Sequence, residues 1–382
     1  MRLLLVVEEE NLGGAELSFL ELARSLASRA EVHLALGQRA LIEHSAVYTA
    51  LADHRITLHA CAHRLNQGTI SNLHRLLRRG AAGELAGLIG SVGPTMILAN
   101  LPTVERGQAI VDAVGLVSPR LPIWGLLHLV QRPSVIGARM GQVRNLMVKT
   151  LLGRFDRLLT VSETGAEELS RRYAVARPAV IRPPTATLQP VASAAERARR
   201  RTEAGLPHGL LVGMVGRVQL HQKGHDAGLR VLARLLAKGL SPNLVIIGDG
   251  PDLPKLRRMA DQMGLTSHVT FLGWRSDVGE LIPLLDAVLL PSRFEGLPQT
   301  ALQAATAEVP VVAYGIDGLS ELLPPEFQVA FGDERGLATT LREVLQGTRV
   351  WPMRKLAERA AGWGDPHRGA QQLLNLLRGS EA

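Results

Sequence analysis

The chain has 382 residues, 46% of them hydrophobic and 20% charged, which excludes disorder and is too long for one ordinary core. Its single cysteine, Cys61, excludes an intrachain disulfide and a thiolate metal cluster, and reads as a core filler. The net charge of +8 favours acidic partners, but with no zinc-finger spacing and no aromatic-rich basic sheet, nucleic acid is not expected among them.

From the first residues on, short apolar runs alternate with helix-patterned stretches. Leu3–Val7 reads as a buried strand, and Glu8, Glu9 and Glu10 cut the run too short for a signal peptide. No apolar stretch reaches membrane-spanning length, so a cytoplasmic protein is expected. Gly13-Gly14-Ala15-Glu16 then opens the helix pattern Leu17–Arg29. Two glycines at a helix start leave N–H groups free for an anion or carbohydrate; the alternative is a tight turn with Glu16 at the positive end of the helix dipole. The spacing is not GxGxxG, so no nicotinamide dinucleotide is expected.

Further strands are read at Glu31–Leu36, Ile56–Ala60, Met96–Ala99, Ile123–Leu127, Leu158–Val161 and Ala179–Ile181. His128 follows the Ile123 strand at its carboxyl end, where ligands bind; the alternative is a satisfied structural histidine. Ser162 is placed to cap a helix over Glu163–Arg172. Arg139, Arg144, Lys149, Arg154 and Arg157, interleaved with Met140, Leu146, Met147, Leu151 and Leu152, read as a solvated helix face over a buried one. The alternative is peripheral contact with anionic membrane, at the inner face.

The alternation breaks at Arg182–Pro190, with three prolines, and at the arginine-rich stretch Ala192–Gly205. Strands resume at Leu210–Val215, Asn243–Ile247, Val269–Leu272, Ala287–Leu290 and Val309–Ala313. This predicts an α/β chain of two Rossmann-like, doubly wound domains facing each other across a cleft. The first spans 1–185, a linker with a basic helix 186–208, and the second 209–362. A helix at about 366–379 is expected to pack back on the first domain.

Four motifs of the second half sit where such strands end. Gly216–Gly224 reads GRVQLHQKG: a strand stops at Gly216, and a polar loop carries Arg217 and Lys223, two cations suited to a diphosphate. Asn243–Pro251 ends in Gly248-Asp249-Gly250-Pro251, a turn that also suits a nucleotide edge. Val269–Arg275 brings Gly273, Trp274 and Arg275 after a strand, where the backbone can meet a base and the indole either stacks or packs. Leu290–Ala305 places Glu295 in a loop, Gly296 and Leu297 before a helix from about Pro298, and Gln303 on the face of that helix start. There the alternative is a helix-capping glutamate and a solvated glutamine. No histidine cluster or Asp-x-Asp sequence calls for a metal, and none is expected.

In this order the four motifs resemble the retaining, nucleotide-sugar-dependent glycosyltransferases of the GT-B fold, glycosyltransferase family 4 (glycosyl transferases group 1), over about Leu210–Leu322 and less closely over Met1–Ser162. The resemblance implies transfer of a sugar from a nucleoside-diphosphate sugar, UDP first and GDP next. The acceptor would be a hydroxyl of a glycan, lipid-linked or small-molecule acceptor, in cell-surface polysaccharide or glycoconjugate biosynthesis, without a cofactor or metal. It implies that Arg217 and Lys223 bind the donor diphosphate. Glu295 would meet the sugar hydroxyls, with the Gly296–Leu297 backbone near the phosphates. Base contacts would come from the Gly273–Arg275 backbone, while Gly13 and Gly14 face the phosphates and acceptor and His128 lies near the donor sugar. Two departures stand out: Gln303 replaces the family's second glutamate, and Ile181–Pro184 (IRPP) replaces an Asn-Gly turn. The alternatives are a weak or silent nucleotide-sugar-binding relative and a nucleotide-sugar epimerase.

Overall fold

The computed structural model describes residues 1–52, 55–62, 65, 75–132, 134–135 and 141–380. Arg139 and Met140 of the basic stretch lie outside them. The chain divides into two compact units, Met1–Pro184 with Asp365–Ala382, and Thr185–Gly364.

The first unit is built on seven parallel strands: β1 (Arg2–Val7), β2 (Glu31–Gly37), β3 (Ile56–Cys61), β4 (Met96–Thr103), β5 (Ile123–Leu129), β6 (Arg157–Thr160) and β7 (Ala179–Val180). Their order is β3-β2-β1-β4-β5-β6-β7. β1 is a continuous Leu and Val run, and β4 and β5 are buried along nearly their whole length, because helices cover both faces and no position alternates toward water. Cys61 is buried at the end of β3, and burial pushes its thiol up to about 11, which suits a core filler. The helix Gly14–Ala27 starts where the Gly13 N–H donates to Glu16 Oε2 at 2.9 Å. The helix Glu163–Tyr173 is capped by Ser162, whose Oγ accepts from the Gly165 N–H at 3.0 Å. The helix Pro366–Ser380 packs on Gly14–Ala27.

The second unit carries six parallel strands: β8 (Leu211–Val215), β9 (Asn243–Ile247), β10 (Val269–Gly273), β11 (Ala287–Leu290), β12 (Val311–Tyr314) and β13 (Gln328–Val329). The order β10-β9-β8-β11-β12-β13 is the doubly wound one, reversing between β8 and β11. Both sheets are thus of the expected α/β, Rossmann-like class. The arginine-rich helix Ala194–Glu203 belongs to this unit, where Arg201 Nε donates to the Leu284 carbonyl at 2.8 Å and its guanidinium pairs with Asp286 at 2.9 Å. β13 has no counterpart in the sequence reading: it is a two-residue edge strand beginning with glutamine, too short for a hydrophobic period. The loop after β8 also contains a helical turn, Leu220–Lys223.

The basic stretch of the first unit has paired arginines together with an exposed apolar residue, Met147. Arg144 pairs with the buried Glu105, Arg154 with Asp112 at 3.0 Å, and Arg157 stacks over Trp124 at 4.9 Å, while Leu151 and Leu152 are core residues. Among the described residues no helix is long and apolar enough to cross a membrane.

Candidate functional site

In the second unit, the loops that follow β8 and β11 leave adjacent strands and run to opposite sides, opening the crevice in which ligands of doubly wound sheets bind. Lys223 from the first loop and Glu295 from the second meet there, Nζ to Oε1 at 2.6 Å, with Glu295 only 6% exposed. Each is the other's counter-charge in a partly dehydrated place, where removing one strands the other. Arg217, by contrast, is exposed and makes no ion pair among the described residues. The two cations of the motif are therefore unlike: one is held, the other reaches into solvent.

The loop is anchored by backbone. The Gly216 N–H donates to the Ile247 carbonyl at 2.9 Å, Val218 to Asp249 at 2.9 Å, and Leu220 to Asp252 Oδ2 at 2.8 Å. Gly248 must be glycine, because a Cβ there would sit 2.1 Å from the Gly216 carbonyl oxygen. Gly250 backs the same turn, its N–H donating to Asp249 Oδ1 at 2.6 Å. These two glycines thus serve first to press the turn after β9 against the loop after β8. His225, fully buried behind Lys223, has its imidazole pushed down to about 4, by burial first and then by the lysine's charge, so the ring is neutral at pH 7.

The loop after β11 is fixed by residues that the sequence reading passed over. Asp317 Oδ2 accepts the Glu295 N–H at 2.9 Å, and the Gly318 N–H donates to the Gly296 carbonyl at 3.0 Å. Asp317 does this at φ +41°, a conformation unusual for a residue with a side chain. Arg293 bonds the Leu220 carbonyl and pairs with Asp226 at 2.9 Å, tying this loop to the one after β8. Only an Asp-Gly pair after a strand hinted at Asp317; nothing local singles out Asp226 and Arg293, since their partnership is tertiary.

Leu297 is buried, Gly296 half-buried, and Gln303 half-buried on the helix Gln299–Thr306. At the end of β10, Gly273 has open space around it and Trp274 is 66% exposed, so the indole is presented rather than packed. The Arg275 side chain is engaged by Asp277, Nε to Oδ1 at 2.7 Å. The structure thus brings Arg217, Lys223, Gly216, Gly248, Gly250, Gly273, Trp274, Arg275, Glu295, Gly296, Leu297 and Gln303 to one unit, on the loops and first turns after its strands.

Gly13, Gly14 and His128 belong to the first unit, at the carboxyl edge of its sheet. His128 is not beyond β5 but within it, since the strand runs to Leu129. Burial pushes its ring down to about 4, and its Nε2 is buried without a hydrogen-bond partner among the described residues. Glu8, one residue past β1, accepts the Gly107 N–H at 2.9 Å, and burial raises its carboxyl to about 7; Glu16 is likewise raised to about 7 by burial.

Residues 209–347, all within the second unit, match the family model described as glycosyl transferases group 1. The chain is similar to the 2-deoxystreptamine glucosyltransferase of Streptomyces kanamyceticus, 30% identical over 271 residues, which cover 68% of this chain and 67% of that protein. It is 34% identical over 131 residues to the alpha-D-kanosaminyltransferase of the same organism, a match to 34% of each chain. In fold it resembles Anabaena HepE, solved in complex with UDP and glucose, with a TM-score of 0.79 and 21% identity over 99% of both chains.

Proposed function

Because this chain belongs to the group 1 glycosyl transferases, we propose that it moves a sugar from a nucleoside-diphosphate sugar, UDP first among carriers, to an acceptor hydroxyl with retention at the anomeric carbon. The observation that carries the reading is the Lys223–Glu295 pair at the β8/β11 switch, with the exposed Arg217 beside it. HepE's complex with UDP and glucose supports the choice of donor, and the 2-deoxystreptamine glucosyltransferase supports a small saccharide-like acceptor.

In this reading the diphosphate takes Arg217 and Lys223 as counter-ions. As the glycosidic bond breaks, negative charge grows on the leaving phosphate, and the half-buried Lys223 with the exposed Arg217 stabilises it there. The acceptor hydroxyl attacks the face the phosphate leaves, and the phosphate oxygen takes its proton. Glu295 accepts hydrogen bonds from sugar hydroxyls, the Gly296–Leu297 backbone meets phosphate, and the Gly273–Arg275 backbone with the Trp274 face meets the base. Gln303 accepts from the ribose without charge. Glu16 already takes the Gly13 N–H, so of the expected pair only Gly14 is left to offer an N–H to the phosphates, and the neutral His128 ring bonds the donor sugar. Gln303 also favours a second reading, a relative that binds donor with little turnover.

Calorimetric titration with UDP tests the proposal. Arg217→Ala should weaken UDP binding by roughly tenfold or more, the loss expected of one charge-assisted phosphate contact. Unchanged affinity would remove Arg217 from the diphosphate site. UDP binding without turnover of any UDP-sugar would favour the second reading.

A further inference from the structure

Three contacts set the place of Glu295. Lys223 Nζ meets its Oε1 at 2.6 Å, Asp317 Oδ2 accepts its backbone N–H at 2.9 Å, and the carbonyl of the next residue, Gly296, accepts the Gly318 N–H at 3.0 Å. Two of the three come from the loop after β12, the strand beside β11. The two loops leave no slack: a methyl on Gly318 would lie 2.0 Å from the Gly296 carbonyl oxygen. Whatever fixes Asp317 therefore fixes the backbone from which the Glu295 carboxylate hangs.

The backbone at Asp317 supplies a second, independent observation. Among the described residues, four that carry side chains have positive φ: Arg55, Ala174, Glu308 and Asp317. Ala174 and Glu308 follow the helices Glu163–Tyr173 and Gln299–Thr306, where a left-handed residue is an ordinary stop. Arg55 leads into β3. Asp317 instead opens a helix, Asp317–Leu322, at φ +41°. Starting a helix does not ask for that conformation, and glycine would adopt it more readily. Glycine, however, has no oxygen to offer the Glu295 N–H. The side chain is kept against the preference of its own backbone, and strain of this kind gathers where a site needs a fixed geometry.

We infer that Asp317 is a positioning residue for the donor sugar. By anchoring the Glu295 backbone it sets where that carboxylate stands, and so how strongly the site prefers a nucleoside-diphosphate hexose to the bare nucleoside diphosphate. The inference rests on the glycosyl-transfer reading, in which Glu295 accepts from the sugar hydroxyls. Hydrogen bonds to a carboxylate are directional, and Lys223 pulls on the same group from the loop after β8. Without the Asp317 anchor the loop is free to follow the lysine, and the carboxylate leaves the hydroxyls. Arg217 and the Gly273–Arg275 backbone lie on other loops, so the bare nucleotide should not register the change.

The test is titration calorimetry of the full chain and of Asp317→Asn, Asp317→Gly and Asp317→Ala with UDP and with UDP-glucose, beside urea unfolding of each. The Gly and Ala variants should lose about tenfold in affinity for UDP-glucose, the worth of one hydrogen bond to a charged group, and keep their affinity for UDP within about twofold. Asn keeps an oxygen for the Glu295 N–H and tolerates the left-handed region, so Asp317→Asn should restore the parent's preference. Glycine relieves the strained φ that alanine retains, so Asp317→Gly should have the higher urea midpoint of the two while losing as much sugar affinity. That separation is one a purely structural residue would not produce. A Gly variant that keeps the parent's affinity for UDP-glucose would overturn the inference. So would equal losses for UDP and UDP-glucose that track the urea midpoint, or a parent that binds UDP but not UDP-glucose. A parent that binds neither would instead sink the glycosyl-transfer reading itself.

Discussion

A methyl group on Gly224 would lie 2.0 Å from the Pro291 carbonyl oxygen, and the residue's φ of +65° is one that side chains rarely adopt. The first constraint comes from the loop after β11 and the second from the end of the turn Leu220–Lys223, neither from a ligand. Gly224→Ala should therefore destabilise the protein on the order of 2–4 kcal/mol, read as a lower urea midpoint, and weaken UDP binding only as a by-product. A loss of UDP affinity with stability unchanged would place Gly224 against the ligand instead. The KG pair of the motif thus divides its labour: the lysine faces Glu295, and the glycine lets two loops close on each other.

Between elements, Asp226 at the start of the helix His225–Leu236 holds Arg293 at 2.9 Å and Arg230 at 2.9 Å, and Arg230 reaches Glu334 at 2.7 Å. The network positions the loop that carries Glu295. Asp226→Asn should cost about 1–2 kcal/mol of stability, since the pairs are partly exposed, and should raise KM for donor more than it lowers kcat. A variant kinetically equal to the parent would show that Arg293 is held well enough by the Leu220 carbonyl alone. Such ties also explain what was readable beforehand. Most strands announced themselves as short apolar runs, because the central strands of a parallel sheet bury both faces. Arg217, Lys223 and Glu295 were legible because cations and a carboxylate in loops after buried strands have few structural uses. Asp317 and Asp226 were not, since an aspartate after a strand reads as turn chemistry.

On the scale of the whole molecule, two pairs of buried groups pull the stability profile in opposite directions. Burial raises Glu8 and Glu16 from 4.5 to about 7, so their contribution is greatest below pH 4.5 and is lost as pH rises to 7. Burial lowers His128 and His225 from 6.5 to about 4, so their charging favours the unfolded chain over that interval, and stability is lost as pH falls from 6.5 to 4. Each group contributes on the order of 3 kcal/mol, and the two slopes largely cancel between pH 4.5 and 6.5. Glu8→Gln should break the balance: relative to the parent it should gain about 3 kcal/mol in urea unfolding between pH 4.5 and pH 8. A pH-independent difference would show that Glu8 is ionised in the folded chain throughout. One further property follows from the path of the chain. The helix Pro366–Ser380 covers the helix Gly14–Ala27, and the Thr185 N–H bonds the Gly364 carbonyl at 3.0 Å where the chain leaves the first unit and returns. On the ribosome, the first unit is therefore a vessel without its lid: its earliest helix keeps an apolar face uncovered until all of the second unit has emerged, which makes the second unit free to fold first and the first unit the one that needs shelter during synthesis.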